Sequence, residues 1–124
     1  MLLAARASWR TADWFDQLTL FEATVRTSPH SALARVNLAT IYETLGRLDD
    51  AEREFRRAIE IAPDRPGPHY GLGVVLERRG RIGEAIGSYR EAARIDPSDP
   101  RPRSALERAR GRASGADRDG SDPR

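Results

Sequence analysis

The chain contains no cysteine and no lysine. The first absence excludes a disulfide framework, a thiolate metal site and a thiol nucleophile, and it fits a reducing compartment. The second leaves arginine as the source of all 21 basic side chains, which face 19 acidic ones for a formal net charge of +2. So small an excess is a weak argument for a polyanionic partner. Aromatic residues are scarce, at 6%. No apolar run approaches the roughly 20 residues needed to span a bilayer. The opening Met1-Leu2-Leu3-Ala4-Ala5-Arg6-Ala7 has too short an apolar core, and no basic lead-in, for a secretory signal. By itself the chain reads as a soluble, cytoplasmic protein whose 124 residues make one domain.

What is present is one pattern written twice. Ala32–Arg65 overlays Pro66–Asp99 without a gap, at a period of 34 residues. Leu38 falls on Leu72, Gly46-Arg47 on Gly80-Arg81 and Ala51 on Ala85, while Ala58 falls on Ala92 and Pro63 on Pro97. Phe55 and Tyr89 match in character. This period points to a helix–turn–helix array. In the first copy, helix A is expected from Ala32 to Leu45, with Gly46 as the left-handed residue past its end. Asp49 and Glu52 have capping-box spacing, and helix B runs to Ile61, presenting Ala51, Phe55, Ala58, Ile59 and Ile61. In the second copy the helices fall near Pro68–Arg79 and Gly83–Ile95. Gly71, Gly73, Gly83 and Gly87 lie within them, and a helical glycine costs on the order of 1 kcal/mol relative to alanine. Gly73 stands where the first copy has Ala39, so a small residue there permits close helix contact.

The ends carry partial copies. Trp14, Leu18, Phe21 and Val25 form one apolar stripe of a helix from about Ala12 to Thr27, with Thr11 and Asp13 as caps and Ser28-Pro29 as the stop. Residues 1–31 are thus a degenerate first unit. Residues 100–112 begin a third copy and form a capping helix. Its outer face is polar through Arg101, Arg103, Glu107, Arg108, Arg110 and Arg112. Residues 113–124 lack apolar periodicity and read as a disordered tail.

The set formed by Leu38-Ala39, Gly46, Ala51, Phe55, Ala58 and Pro63, and again by Leu72-Gly73, Gly80, Ala85, Tyr89, Ala92 and Pro97, resembles the tetratricopeptide repeat family. Arg35 and His69 replace an aromatic common early in that family's helix A. The resemblance implies an all-α, right-handed superhelical solenoid of antiparallel helix pairs. Asp13-Trp14 followed by Thr19-Leu20-Phe21 is also similar to a junction in O-mannosyltransferase-like multi-spanning membrane proteins, where repeats follow the last membrane helix. On that reading the chain resembles the soluble repeat tail of such a protein, and would be membrane-associated as part of it.

Catalysis finds no support among the motifs. Gly71-Leu72-Gly73 lies inside a helix rather than in a phosphate loop, and His30 and His69 stand beside proline turns without partner ligands. Helix capping accounts for Asp49-Asp50-Ala51-Glu52. The expectation is a non-enzymatic chain with no cofactor and no metal. Arg78-Arg79-Gly80-Arg81 and the arginines of 101–112 are locally basic, but acidic residues interleave and no stacking platform is evident, so no nucleic-acid partner is expected.

Protein or extended-peptide binding remains. The family resemblance places helix A of each repeat on the concave face. This makes Leu33, Val36, Asn37 and Thr40, then Gly67, Tyr70, Gly71 and Val74, then Arg101 and Ser104, the expected binding positions. Asn37 holds the slot from which an amide, both donor and acceptor, bonds an extended backbone in several such proteins; Gly71 breaks that ladder. Val36 and Thr40 replace the Lys and Asn of the two-carboxylate clamp, which argues against chaperone C-termini as ligands. Tyr70 is either the aromatic anchor of the groove or a packing residue. Self-association through the array ends, at Trp9, Trp14 and Leu18, is the structural alternative.

Overall fold

A computed structural model of the chain describes residues 2–120, with side chains described for residues 14–115. Among the described residues six helices follow one another: α1 (Leu2–Thr27), α2 (Ala32–Thr44), α3 (Leu48–Ile61), α4 (Pro66–Arg78), α5 (Ile82–Ile95) and α6 (Pro100–Gly120). Among the described residues there is no strand. The chain divides into two compact units, Met1–Ile61 and Ala62–Arg124. In the first, α2 packs against α3 and α1; in the second, α5 packs against α4 and α6.

The period seen in the sequence is repeated in the backbone hydrogen bonds. The amides of Ser31, Arg65 and Asp99 donate to the carbonyls of Ser28, Ala62 and Asp96 at 3.1, 3.3 and 3.4 Å. Each such turn contains one of the spaced prolines, Pro29, Pro63 and Pro97. Inside each helix pair the link is a Schellman motif. Arg47 N–H donates to the Tyr42 carbonyl and Gly46 N–H to that of Glu43; Arg81 and Gly80 do the same toward Leu76 and Glu77. Gly46 and Gly80 carry φ of +78° and +80°, the left-handed region that favours glycine.

Alanine lets the helices approach closely. Ala39, Ala51 and Ala58 in the first unit, and Ala85, Ala92 and Ala109 in the second, are fully buried, and so are Phe55 and Tyr89. Gly73 is the tightest point: a Cβ built there would lie 2.5 Å from the Tyr89 ring. The small residue expected at this position is required by that ring.

Several expectations are corrected. Arg47's carbonyl already accepts from Ala51 N–H at 3.0 Å, so α3 starts at Leu48. Asp49 is therefore no capping-box N-cap; Asp49 and Asp50 sit in the first turn, where negative charge favours the helix dipole. Ile61, named among the apolar residues that helix B presents, is 37% exposed at the end of its helix. Thr11 and Asp13 lie inside α1 rather than capping it, because no proline or glycine interrupts residues 2–27 and helix propagates cheaply once formed. Along the α1 stripe Leu18 is buried and Phe21 and Val25 are half-buried, but Trp14 is 38% exposed. The tail expected to be disordered from residue 113 is helical to Gly120; α6 is anchored by buried Pro102, Ala105, Leu106 and Ala109, and the next proline is Pro123. Residues 121–124 of that tail lie outside the described residues.

Candidate functional site

In the first unit the expected binding residues form one stripe of α2. Leu33 is 62% exposed; Thr40 is also exposed, and Val36 and Asn37 are half-buried. The spacing i, i+3, i+4, i+7 sets them on one face, while Ala34, Leu38, Ala39, Ile41 and Tyr42 carry the packing. Thr40 Oγ1 donates to the Val36 carbonyl at 2.9 Å, so its hydroxyl proton is already committed to the helix.

Arg35 points away from this stripe. Its Nε donates to the Pro29 carbonyl at 2.9 Å, and its Nη1 to Glu54 Oε2 at 2.6 Å, with both side chains 11% accessible. His69, at the equivalent position of the second unit, has Nε2 2.9 Å from the Pro63 carbonyl. Facing a carbonyl acceptor, that nitrogen carries the ring proton. Both residues that replace the family aromatic thus tie helix A to the proline turn before it. His69 thus has a structural partner at Nε2. Among the described residues no group of three or more His, Asp and Glu is arranged to hold a metal ion.

The second unit brings expected residues together. The Tyr70 ring lies 5.8 Å from that of Tyr89, tilted by 45°. The Arg101 guanidinium is 5.5 Å from the Tyr70 centroid, within cation–π range. Asp99 fixes that guanidinium, accepting from Nε at 3.1 and 3.2 Å and from Nη2 at 2.8 Å. Arg101 is therefore part of an aromatic platform, not an unengaged cation. Gly67 and Ser104 are exposed and Gly71 is half-buried.

One turn beyond Tyr70, Val74 joins Glu77, Arg78, Arg108 and Arg112 around an open groove of about 400 Å³. Glu77 is its hub. Its carboxylate accepts from the Tyr89 hydroxyl at 2.6 Å, from Arg108 at 3.2 and 3.1 Å, and from Arg112 at 2.9 Å. The hydrogen bond from Arg108 holds the Glu77 carboxyl below its ordinary range, against the opposing effect of burial, and the Tyr89 hydroxyl assists. Burial first, and then the Glu77 carboxylate, push the Tyr89 hydroxyl well above its ordinary range.

Arg108 and Arg112, expected on the polar outer face of the capping helix, instead turn onto α4 through Glu77. Their signal was present in the period. Arg108 stands 34 residues after Val74, and Arg112 34 residues after Arg78, so the same stripe continues into α6.

Residues 30–98, more than half of the chain, match the tetratricopeptide repeat family. The chain belongs to that family, and its all-α class is that of the family's helical-repeat domains. A stretch of 73 residues, 56% of the chain, is 32% identical to Protein O-mannosyl-transferase Tmtc2 of Drosophila melanogaster. The chain spans only 8% of that protein's length. This likeness agrees with the resemblance seen at the first unit. Among the described residues no helix is long and apolar enough to cross a membrane. The Sgt2 TPR domain from Aspergillus fumigatus superposes with a TM-score of 0.83 at 16% identity, over 96% of this chain and 80% of that one. The first TPR of Spaghetti (RPAP3), bound to the HSP90 peptide SRMEEVD, gives 0.80 at 13% identity, over 88% and 86%. At such identities the likeness is one of fold.

Proposed function

We propose that this chain is a non-catalytic scaffold that binds a partner protein through extended peptide segments, each laid along the helix-A stripe of one unit. The observation that carries the reading is the half-buried Tyr70, braced by Tyr89 and Arg101, beside the open groove at Val74. A rigid aromatic next to a concave, mixed apolar and polar surface suits recognition of an extended chain. The peptide carried by the RPAP3 neighbour supports the reading at the level of fold. Leu33, Val36, Asn37 and Thr40 on α2, and Ser104 on α6, are assigned to the same task within their own units. A cytoplasmic location belongs to this proposal, and fractionation of the tagged chain tests it.

A pull-down with wild type beside Asn37→Ala/Tyr70→Ala, and with Arg56→Ala as surface control, is the direct test. A partner lost with the double variant and kept by the control is the expected result. A partner kept by all three would remove the stripes from the interaction.

A second reading is self-association, favoured by exposed apolar side chains on α1: Trp14 at 38%, Phe15 at 55% and Leu20 at 60%. Leu18, named from sequence, is 7% exposed and belongs to the core; Trp9 lies outside the described side chains. Sedimentation of wild type and Trp14→Ala/Phe15→Ala across concentration decides this reading. A monomer at all concentrations would end it.

A further inference from the structure

We propose that the groove between α4 and α6 is a receptor for an acidic side chain, Asp or Glu, carried inside an extended peptide. The proposal rests on the peptide-binding reading above and names the chemistry that its second unit selects. Three guanidinium groups, those of Arg78, Arg108 and Arg112, line the groove against one carboxylate, that of Glu77. Arg108 and Arg112 share that one carboxylate, so these two cations by themselves outnumber the acid that pairs with them.

Burial separates the two signs. The Glu77 side chain is 8% accessible, whereas those of Arg108 and Arg112 are 52% and 58% accessible. Glu77 lies at the floor, saturated by Tyr89 and the two arginines, and the cations stand at the rim. Each guanidinium offers five N–H donors. Glu77 engages Nε and Nη2 of Arg108 and Nη1 of Arg112, so both arginines retain donors for an incoming carboxylate. Glu77 thus acts as a positioning residue that holds two flexible arginines side by side.

Apolar contact lies one helical turn away. Tyr70 and Val74 are four residues apart on α4, a separation of about 6 Å along the axis. Alternate residues of an extended peptide point to the same side at about 6.6 Å spacing. A peptide with an apolar residue two positions from an acidic one therefore matches the wall: the apolar side chain on Tyr70, the carboxylate in the groove beside Val74, at Arg108 and Arg112. These arginines lie outside the slots of the two-carboxylate clamp, and an internal acidic side chain needs no C-terminus.

The probe is a fluorescein-labelled dodecapeptide of repeating Leu-Ser-Glu-Ser with an amidated C-terminus, beside its Gln counterpart, read by anisotropy at low salt. Wild type is expected to bind the Glu peptide about tenfold or more tightly than the Gln peptide, the scale of one charge-assisted pair. Arg108→Gln/Arg112→Gln should erase that difference. Glu77→Gln, whose amide oxygen still accepts from the arginines while the negative charge is gone, should bind the Glu peptide more tightly than wild type; a variant that merely loosened the fold would bind it less. Circular dichroism checks that each variant is folded.

Four results overturn the proposal: no binding of the Glu peptide by wild type; equal binding of the Glu and Gln peptides; a folded Arg108→Gln/Arg112→Gln protein that binds as wild type does; or displacement by an oligothymidylate at equal concentration, which would make the groove a nucleic-acid site. A pull-down partner that is lost with Asn37→Ala/Tyr70→Ala but indifferent to Arg108→Gln/Arg112→Gln would leave the scaffold reading standing and remove the acidic subsite alone.

Discussion

Each unit buries one tyrosine whose hydroxyl donates to a glutamate, yet the two units place it on opposite members of the helix pair. In the first, Tyr42 on α2 donates to Glu22 of α1 at 2.8 Å, and Phe55 fills the aromatic slot of α3. In the second, that slot holds Tyr89, which donates to Glu77 at 2.6 Å, and Leu76 stands where Tyr42 would be. The same repeat can therefore spend its buried hydroxyl in two ways. In the first unit it ties the pair to the preceding helix. In the second it anchors a carboxylate that organises Arg108 and Arg112 from the following helix. The second arrangement builds a groove wall.

The largest effect expected in this comparison is removal of the slot aromatic. Phe55 is 2% exposed and Tyr89 0%, so either change to alanine should destabilise by about 3–5 kcal/mol, measured by urea unfolding. Tyr89→Ala should lose more than Phe55→Ala, because Glu77 also loses a donor. Equal losses would mean that the hydroxyl contributes nothing beyond the ring.

Next is the small residue facing that ring. Gly73→Ala forces a Cβ against Tyr89 and should lower stability by about 1–3 kcal/mol, as overpacked cores do. In the first unit the opposite substitution is also unfavourable: Ala39→Gly should cost about 1 kcal/mol through helix propensity. Thermal melts of the two variants separate strain from propensity; a stabilised Gly73→Ala would refute the close packing.

The ionisable groups supply a pH test at both ends. Burial and then Glu22 push the Tyr42 hydroxyl up to about 12. A folded value above the unfolded one, about 10, gives stability that is full below pH about 10 and lost as pH rises through the folded value. Tyr42→Phe should remove that part of the alkaline loss. Glu77, held below its ordinary value of 4.5 chiefly by Arg108, has the opposite sign. Its contribution is present above that value and lost as pH falls through the folded one. Glu77→Gln should flatten the acid limb, followed by circular dichroism.

The smallest effect concerns helix starts. Ser31 caps α2 by accepting from Ala34 N–H at 3.2 Å, whereas Arg65 offers α4 no side-chain cap. Arg65→Ser should stabilise by about 0.5–1 kcal/mol in calorimetry. No gain would show that the prolines of the first turn of α4 already set its start.

Most of the fold was legible because the period is encoded locally. Turn prolines, left-handed glycines and alanines between helices each act within a few residues, and their recurrence placed α2 to α5 to within about two residues. The ends were less legible. At residues 1–12 the apolar pattern was ambiguous, since Leu2, Leu3, Ala5 and Trp9 could line a short helix, and 113–120 gave no helix signal, although chain continuity from a docked helix suffices to extend one. Of the binding positions, the stripe itself could be read from spacing. The grouping of Tyr70 with Arg101, and of Val74 with Arg108 and Arg112, could be read only as a shared register.

The amino-acid sequence by itself determined the repeat, its turns and which helix face is apolar, since these follow from backbone preferences and side-chain periodicity. Tertiary structure alone decided which charges meet. Arg108 and Glu77 are 31 residues apart and Arg112 and Glu77 are 35, and a long, flexible arginine on a polar face can turn toward solvent or toward a neighbouring helix. The choice is made by a buried carboxylate that needs donors, and it exists only once α4, α5 and α6 have packed.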